Sequence, residues 1–514
     1  MAGDRITWTG SAAAAAERSG TERSGTQRSS TERSGTDRPG TVLDLAGAVL
    51  TPAFVDAHVH TTATGLLVDG LDLTGCASPR ALLDAVAARV AARPGRLVWG
   101  HGWQEQRWPG PPPSRAELDR AAAGAPVYLS RIDVHSALVS GALLRRAPDA
   151  VGAPGWSDGP LTTTAHHHAR RAALDAVDPT TRDAAQRACL AAAAAVGIGV
   201  LHECAGPDIS SVADLAGLRA LAGTGRFPRV VGYWGEPVDS TERARELLAG
   251  TGAVGLAGDL FVDGSIGSRT AALRAPYADR PDTSGHRYLD PDAVAAHVAA
   301  CTAIGVQAGF HVIGDAAADA LLAGLRAALG DRSRAGRPDG PRHRVEHLEM
   351  IDEERAAELA RFGVSASVQP LFDAHWGGPD GMYAERLGPA RAAGMNPFAA
   401  LRDAGVELAL GSDAPVTPLG PWAAVRAAVQ HRTPGSGLTP RQALAAHTVG
   451  GHRAGGDRSP LAGRLCVGAS ASYAVWDGAG PLTGSADDTR DPRCLRVVQD
   501  GRVLHDLLTA GDDD

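Results

Sequence analysis

The chain of 514 residues contains no lysine, and all of its 50 basic side chains other than histidine are arginine. No lysine carbamate can therefore form anywhere in it. Cysteine is scarce: the six residues Cys76, Cys189, Cys204, Cys301, Cys466 and Cys494 lie singly, with no CxxC pair. A disulfide framework is not suggested in a chain of this length, and neither is a thiolate zinc site. No run of about 18 apolar residues is present for a membrane span. The opening stretch MAGDRITWTGSAAAAAERSG has five consecutive alanines but no apolar signal-peptide core, so a cytoplasmic location is the default expectation. An excess of positive charge is lacking too, the formal net charge being -8. That balance argues against nucleic acid and anionic membranes, which want a basic face. A small-molecule substrate is the expected partner, with a homodimer left open.

What is present is globular composition, 44% hydrophobic and 21% charged, in a chain long enough for a large barrel plus a smaller module. The 63 glycines and abundant alanines, with arginine in place of lysine, indicate compositional drift. Residues 11–40 stand apart as a near-tandem pentapeptide of Arg, Ser, Gly and Thr. With almost no apolar side chains to repay its ordering entropy, this repeat is expected to be a disordered insertion.

Strand-like segments flank the repeat at Arg5–Thr9 and Thr41–Leu50. Others close the chain at Ala471–Asp477 and Leu495–Asp506, the last containing Asp500–Gly501 as a hairpin signal. Between these ends, short apolar strands alternate with alanine-rich helices. Strands are expected at Val196–His202, Leu260–Asp263, Gly305–Val312, Arg344–His347, Val364–Gln369 and Val406–Ser412, and helices include Pro291–Ile304 and Glu353–Phe362. So many β-α units favour an α/β fold of the (β/α)8 TIM-barrel type. The expected organisation has residues 1–50 and 456–514 building a small β-sandwich from both termini. Residues 51–455 form the barrel, and about 70–185, which fit the rhythm poorly, form an inserted subdomain over its mouth.

The strongest chemical signal is LTPAFVDAHVH at 50–60. Residues i and i+2 of a strand share a face, so His58 and His60 point together and can share one divalent metal. On its own, a pair of histidines on a strand is as often incidental. It gains weight because His311 ends GVQAGFHV, His347 ends RHRVEH, and Asp413 follows VELALGS. The order His-x-His, His, His, Asp is that of a one- or two-metal hydrolytic centre, in which the last Asp shuttles the proton of an activated water. His and carboxylate ligands accept several divalent ions, zinc being the first expectation.

Beyond these residues, HGWQEQRWP (101–109), DVHSALVSGALL (133–144), FVDGSIGSRTAALRAPYAD (261–279), FHVIGD (310–315), HRVEHLEMI (343–351), SVQP (367–370) and GSDAPV (411–416) resemble segments of the amidohydrolase superfamily. The resemblance runs from about residue 41 to 505. It is nearest to the amidohydrolase 3 branch of N-substituted formamide deformylase-like hydrolases. It implies a metal-dependent amidohydrolase that opens an amide, formamide or cyclic amide C–N bond. In that reading His58, His60 and Asp413 hold the more buried metal. His311 and His347 hold a second ion or, in a one-metal site, contact substrate. Asp413 is the general base and then acid, with His347 its catalytic partner, and Trp103, His135, Asp263, Arg269 and Gln369 lie beside the substrate.

The chain departs from the branch at Asp259, where a lysine is usual, and at Thr163, Ala316 and Ala53. Asp259, shorter and four residues before the Asp-Gly pair, is expected to fall short of the metals. Glu203 is the candidate for a bridging carboxylate. Two alternatives stand beside the hydrolase: a one-metal deaminase of a small heterocycle, and a barrel that only binds. His166–His168 are expected on a solvated face or loop, and the tryptophans at 99, 103 and 108 in the core of the inserted region.

Overall fold

A computed structural model describes residues 1, 3–11, 14, 43–45, 47–330, 340–480 and 490–508. Apart from residues 11 and 14, the pentapeptide repeat lies outside them. Strand β1 (Val49–Pro52) leads directly into β2 (Phe54–Val59), all six residues of which are buried. An excursion of short strands follows: β3 (Leu71–Asp72), β4 (Val98–Trp103), β5 (Val127–Arg131), β6 (Ser136–Val139) and β7 (Leu161–Thr162). Seven strands then alternate with helices: β8 (Ile198–Ala205), β9 (Arg229–Trp234), β10 (Gly255–Leu256), β11 (Gln307–Val312), β12 (Arg344–His347), β13 (Ser365–Val368) and β14 (Glu407–Leu410). The chain ends in β15 (Tyr473–Trp476), β16 (Cys494–Gln499) and β17 (Arg502–Asp506).

β2 and β8 to β14 form one parallel eight-stranded sheet in that order, which makes the fold a (β/α)8 barrel. Strands buried on both faces read as continuous apolar runs, as in IGVL, which opens the fully buried β8. Helix starts follow from the sequence: Asp178–Pro179 and Asp290–Pro291 each pair an Asp that caps a backbone N–H with a Pro at the first helical position. Between β14 and β2 the barrel closes through a bridge from Val59 to Ala414. There His60 N–H donates to Ala414 O at 2.9 Å and Asp413 N–H to His58 O at 2.8 Å. Closure and the candidate ligands thus share one seam.

The expected strand at Leu260–Asp263 survives only as the bridges Phe261–His311 and Asp263–Arg287. Its slot in the sheet is taken by Gly255–Leu256, after which Gly258 at φ +82° bends the chain.

The chain ends meet in an antiparallel sheet of order β1-β15-β16-β17. Asp500 and Gly501, both at positive φ, make the expected hairpin turn. Trp476 docks this sheet on the barrel: its Nε1 donates to Thr51 Oγ1 at 2.9 Å and its ring meets Phe54 and Trp422 edge-on. Gly197, at φ +91°, gives that indole room, since a Cβ there would lie 2.2 Å from the ring. Arg5–Thr9 supplies one bridge, Arg5–Ser470, rather than a strand, Ile6 being the one buried side chain in the stretch.

The excursion forms a separate five-stranded sheet, β3 to β7 in order, around Leu73, Leu82, Val98, Trp103, Leu118 and Leu129. It is tied to the barrel mouth where Ser265 and Ser268 hydroxyls donate to Asp133 at 2.6 and 2.8 Å. Helix Thr163–Asp175 follows it and carries the three consecutive histidines. The expectation of a solvated face is corrected for two of them. His166 is buried with its Nε2 2.9 Å from Tyr128 Oη, and His167 is buried and stacks on Phe261 and Tyr288.

Candidate metal centre

His58 and His60 stand at the C-terminal end of β2, where the ladder with β8 slips register between Asp56 and Val59. His311 lies near the end of β11 and His347 ends β12, while Asp413 follows β14 by three residues. The rings converge, with centroid separations of 5.2 Å for His58–His60, 5.0 Å for His58–His347 and 4.3 Å for His311–His347. Asp413 Oδ1 is 3.1 Å from His60 Nε2 and 3.5 Å from His58 Nε2.

The centre of the cluster is Asp259, and this corrects the expectation that it falls short. Its carboxylate lies 3.3 Å from His58 Nε2, 3.2 Å from His60 Nε2, 3.4 Å from His311 Nδ1 and 3.7 Å from His347 Nε2. The bend at Gly258 makes this possible. Gly258 packs on Cys204 of β8, and the backbone of Asp259 lies 2.8 Å from where a Cβ on Gly235 would stand. The chain is pressed inward, so a two-carbon side chain spans what the sequence alone left too long. Glu203, the expected bridge, instead accepts Thr61 N–H at 2.8 Å. Among the described residues it joins no group of closely spaced ligand atoms, whereas His58–Asp259–His347 and His58–His60–Asp413 both do.

The far side of each ring decides which nitrogen faces the cluster. Glu346 Oε2 lies 2.9 Å from His58 Nδ1, and Gln369 Oε1 2.8 Å from His347 Nδ1, so each imidazole presents Nε2. His311 is turned the other way: its Nε2 is 3.2 Å from Gly264 O, leaving Nδ1 toward Asp259. Glu346 is in turn held by Arg344 through two contacts of 2.6 and 2.7 Å, and Arg344 NH1 meets His202 Nδ1 at 3.0 Å. Sequence reasoning passed over Arg344 and Glu346. The visible signal was a pair of charges, two residues apart, inside a fully buried strand that ends in a candidate ligand.

Electrostatics follow from the crowding. Burial alone would disfavour the imidazolium at His58 and His60, but Cys204, Asp259 and Asp413 outweigh it at His58 and the two carboxylates do so at His60, pushing both upward, His60 to about 9. Burial would likewise raise Asp259 and Asp413, and the surrounding histidines outweigh it and hold both below the ordinary range. Despite this attraction, His58 Nε2, His347 Nε2 and Asp413 Oδ1 are buried without a hydrogen-bond partner. His347 and Asp413 also adopt left-handed backbone, at φ 69° and 54°, which costs of order 1–3 kcal/mol each and concentrates at functional sites. Convergent, unsatisfied N and O donors with fixed tautomers suit one or two divalent cations.

A cavity of about 20 Å3 opens beside the cluster, touching His311, His347 and Asp413. Ile266, Ile313, Phe372, Trp376, Met382 and Val416 supply its apolar wall. Asp133, His135, Ser265, Glu349 and Tyr383 add polar groups. Burial pushes Glu349 up to about 7, and Tyr383 Oη donates to it at 2.6 Å. Burial, then His311, keeps His135 well below its usual value and neutral.

Of the five residues expected beside the substrate, His135 lines this cavity and Gln369 holds His347. Asp263 accepts the N–H groups of Ile313, Gly314 and Ala272 at 2.8–2.9 Å and so fixes the loop after His311. Trp103 is buried within the five-stranded layer, its Nε1 donating to Leu129 O at 2.8 Å, and Arg269 is paired with Asp279. Neither borders the cavity.

Six metal-competent side chains at the C-terminal mouth of a (β/α)8 barrel define a class, the barrel proteins built around a divalent-metal centre. The chain belongs to the amidohydrolase family, whose sequence model matches residues 41–505. It is 30% identical over 414 residues to a putative amidohydrolase, YtcJ, of Bacillus subtilis (strain 168), covering 76% of this chain and 75% of that one. It is 24% identical over 509 residues to the N-substituted formamide deformylase of Arthrobacter pascens, covering 90% of each. Among solved structures, an uncharacterized metal-dependent hydrolase from Pyrococcus horikoshii OT3 superposes with a TM-score of 0.70 at 23% identity. That match covers 98% of this chain and 95% of the other, and shows a shared fold.

Proposed function

We propose that the protein is a two-metal hydrolase of amide-type C–N bonds, with zinc the first choice of ion. The observation that carries the reading is Asp259, whose carboxylate meets all four imidazoles and so would take the place that a lysine carbamate would fill. His58, His60 and Asp413 would hold one ion, His311 and His347 the other, with Asp259 between them. A divalent ion bound there polarises a carbonyl and brings the pKa of water near neutrality.

The protein's own groups then divide the work. Asp413, held as a carboxylate by His58 and His60, accepts the proton of the attacking water and returns it to the leaving nitrogen. Glu346 and Gln369 fix the rings of His58 and His347, so that the ligands are in place before substrate arrives. The apolar wall of the cavity excludes water and receives the uncharged part of the substrate. The formamide deformylase among the relatives supports an amide or formamide. The deaminase alternative uses a single ion, and Asp259 spanning both histidine pairs favours two.

The test is Asp413→Asn, assayed with the metal-loaded enzyme on a panel of N-substituted formamides, simple amides and lactams. Turnover is expected to fall at least about a thousandfold with metal largely retained. Wild-type-like rates in the variant would refute Asp413 as the base, and no turnover of any C–N substrate by the wild type would refute the bond class.

A further inference from the structure

A second cavity, of about 30 Å3, borders the ligand cluster at His60, between β4, β5 and helix Thr163–Asp175 on one side and His60 and Pro415 on the other. Residues close in sequence line the two cavities: Val134 faces this one and His135 the first, and Pro415 faces this one and Asp413 the first. Trp99, Leu174 and Ile209 give it apolar sides, and its charge comes from Arg170.

Arg170 differs from the other deeply buried arginines. Arg131 is neutralised by Glu105 and Asp133, Arg344 by Glu346, and Arg386 by Asp279 and Glu105. Arg170 is 8% exposed, and among the described residues no carboxylate stands within ion-pairing distance of it. It donates to the carbonyl of Val134, and more weakly to Asp208 O and to Tyr128 Oη, both at 3.4 Å. The neighbouring Asp208 carboxylate is engaged by Arg171 at 2.7 Å and His167 at 3.5 Å. A buried guanidinium that meets only neutral acceptors is an incomplete ion pair. Nearby, His60 Nδ1 is buried without a partner.

We propose that this cavity is a carboxylate subsite: Arg170 receives the acid group of the substrate, whose scissile amide lies at the ligand cluster and whose apolar part enters the aromatic cavity. The inference rests on the hydrolase reading above and adds a substrate class, N-acyl amino acids and related acidic amides. The polarity is one-sided: Arg131 and Ser265 already engage the Asp133 of the aromatic cavity, whose lining offers an acid no arginine, whereas the second cavity presents Arg170 without a counter-charge. At roughly 10–15 Å3 for each water-sized group, the second cavity at about 30 Å3 suits a carboxylate, and the aromatic cavity at about 20 Å3 takes the leading edge of the apolar part.

The test is calorimetric titration of the metal-loaded enzyme with N-benzoylglycine and with its neutral counterpart N-benzoylglycinamide, on wild type, Arg170→Met and Arg170→Lys. Wild type is expected to bind the acid at least about tenfold tighter than the amide. Arg170→Met should erase that preference and Arg170→Lys should retain part of it. A preference that survives in Arg170→Met places the carboxylate on the metals and overturns the proposal, as does equal binding of acid and amide by wild type. Acetate binding as tightly as N-benzoylglycine would show a site for free carboxylate anions and also overturn it. Should Arg170→Met not fold, a crystal structure of the wild type with N-benzoylglycine decides: its carboxylate against Arg170 supports the subsite, and any other placement refutes it. Arg170-dependent binding with no hydrolysis of acidic amides would count against the hydrolase reading alone. Hydrolysis unaffected by Arg170→Met would count against the subsite alone.

Discussion

Glu346→Gln changes one charge and almost no volume, and its cost can be worked from the contacts. Glu346 accepts from Arg344 at 2.6 and 2.7 Å and lies 2.9 Å from His58 Nδ1, all three residues being fully buried. Burial by itself would raise this carboxyl; Arg344 and then His58 outweigh it and hold it at about 2 against an ordinary 4.5. At about 1.4 kcal/mol per tenfold, the depression corresponds to about 3 kcal/mol of stability. Because the folded-state value is the lower one, that contribution is complete above about pH 4.5 and is lost as pH falls toward 2. Glutamine leaves Arg344 buried without its counter-charge, a change that costs about 3–5 kcal/mol. Urea unfolding at pH 7 in EDTA, which removes any stabilisation by bound metal, should therefore show a loss of that size. The double variant Glu346→Leu/Arg344→Met, which removes both charges, should lose less than half as much. A single variant within about 1 kcal/mol of wild type, or a double variant worse than the single, would refute the reasoning.

Two further outcomes follow from the same structure. An incoming ion must displace the protons that Asp259 and Asp413 hold on His60, at about 9, and on His58. Apparent metal affinity should then rise about tenfold per pH unit for each proton displaced between pH 6 and 8, read by competition with a chromophoric chelator; a flat profile contradicts it. Gly197→Ala forces a Cβ to 2.2 Å from the Trp476 ring at φ +91° and should cost about 2–4 kcal/mol in thermal unfolding with metal content unchanged; an unaltered Tm would refute the docking role of Trp476.

The barrel was legible because β-α periodicity and strand-end chemistry coincide. His58, His60, His311, His347 and Asp413 stand where strands run out, and the fold brings together what those positions promised. Asp259 was misjudged for a definable reason. Its reach depends on the bend at Gly258 and the close approach of Gly235, two backbone features that side-chain length does not reveal. Glu203 seemed suited to bridge because it follows His202 at a strand end, yet its carboxylate is occupied by Thr61 N–H. The triple histidine looked solvated because runs of polar residues usually are. Burial of His166 and His167 comes from Tyr128, Phe261 and Tyr288, which are distant in sequence. Trp103 and Arg269 carried the family's local pattern, but their contacts lie within the five-stranded layer and with Asp279.

Metal content per chain, measured by elemental analysis on the reconstituted wild type and on Asp259→Ala, tests the central claim most directly. The account predicts two equivalents in wild type and one or fewer in the variant, because Asp259 joins the two histidine pairs. A wild type that holds no metal, or an Asp259→Ala variant that still holds two, would contradict it.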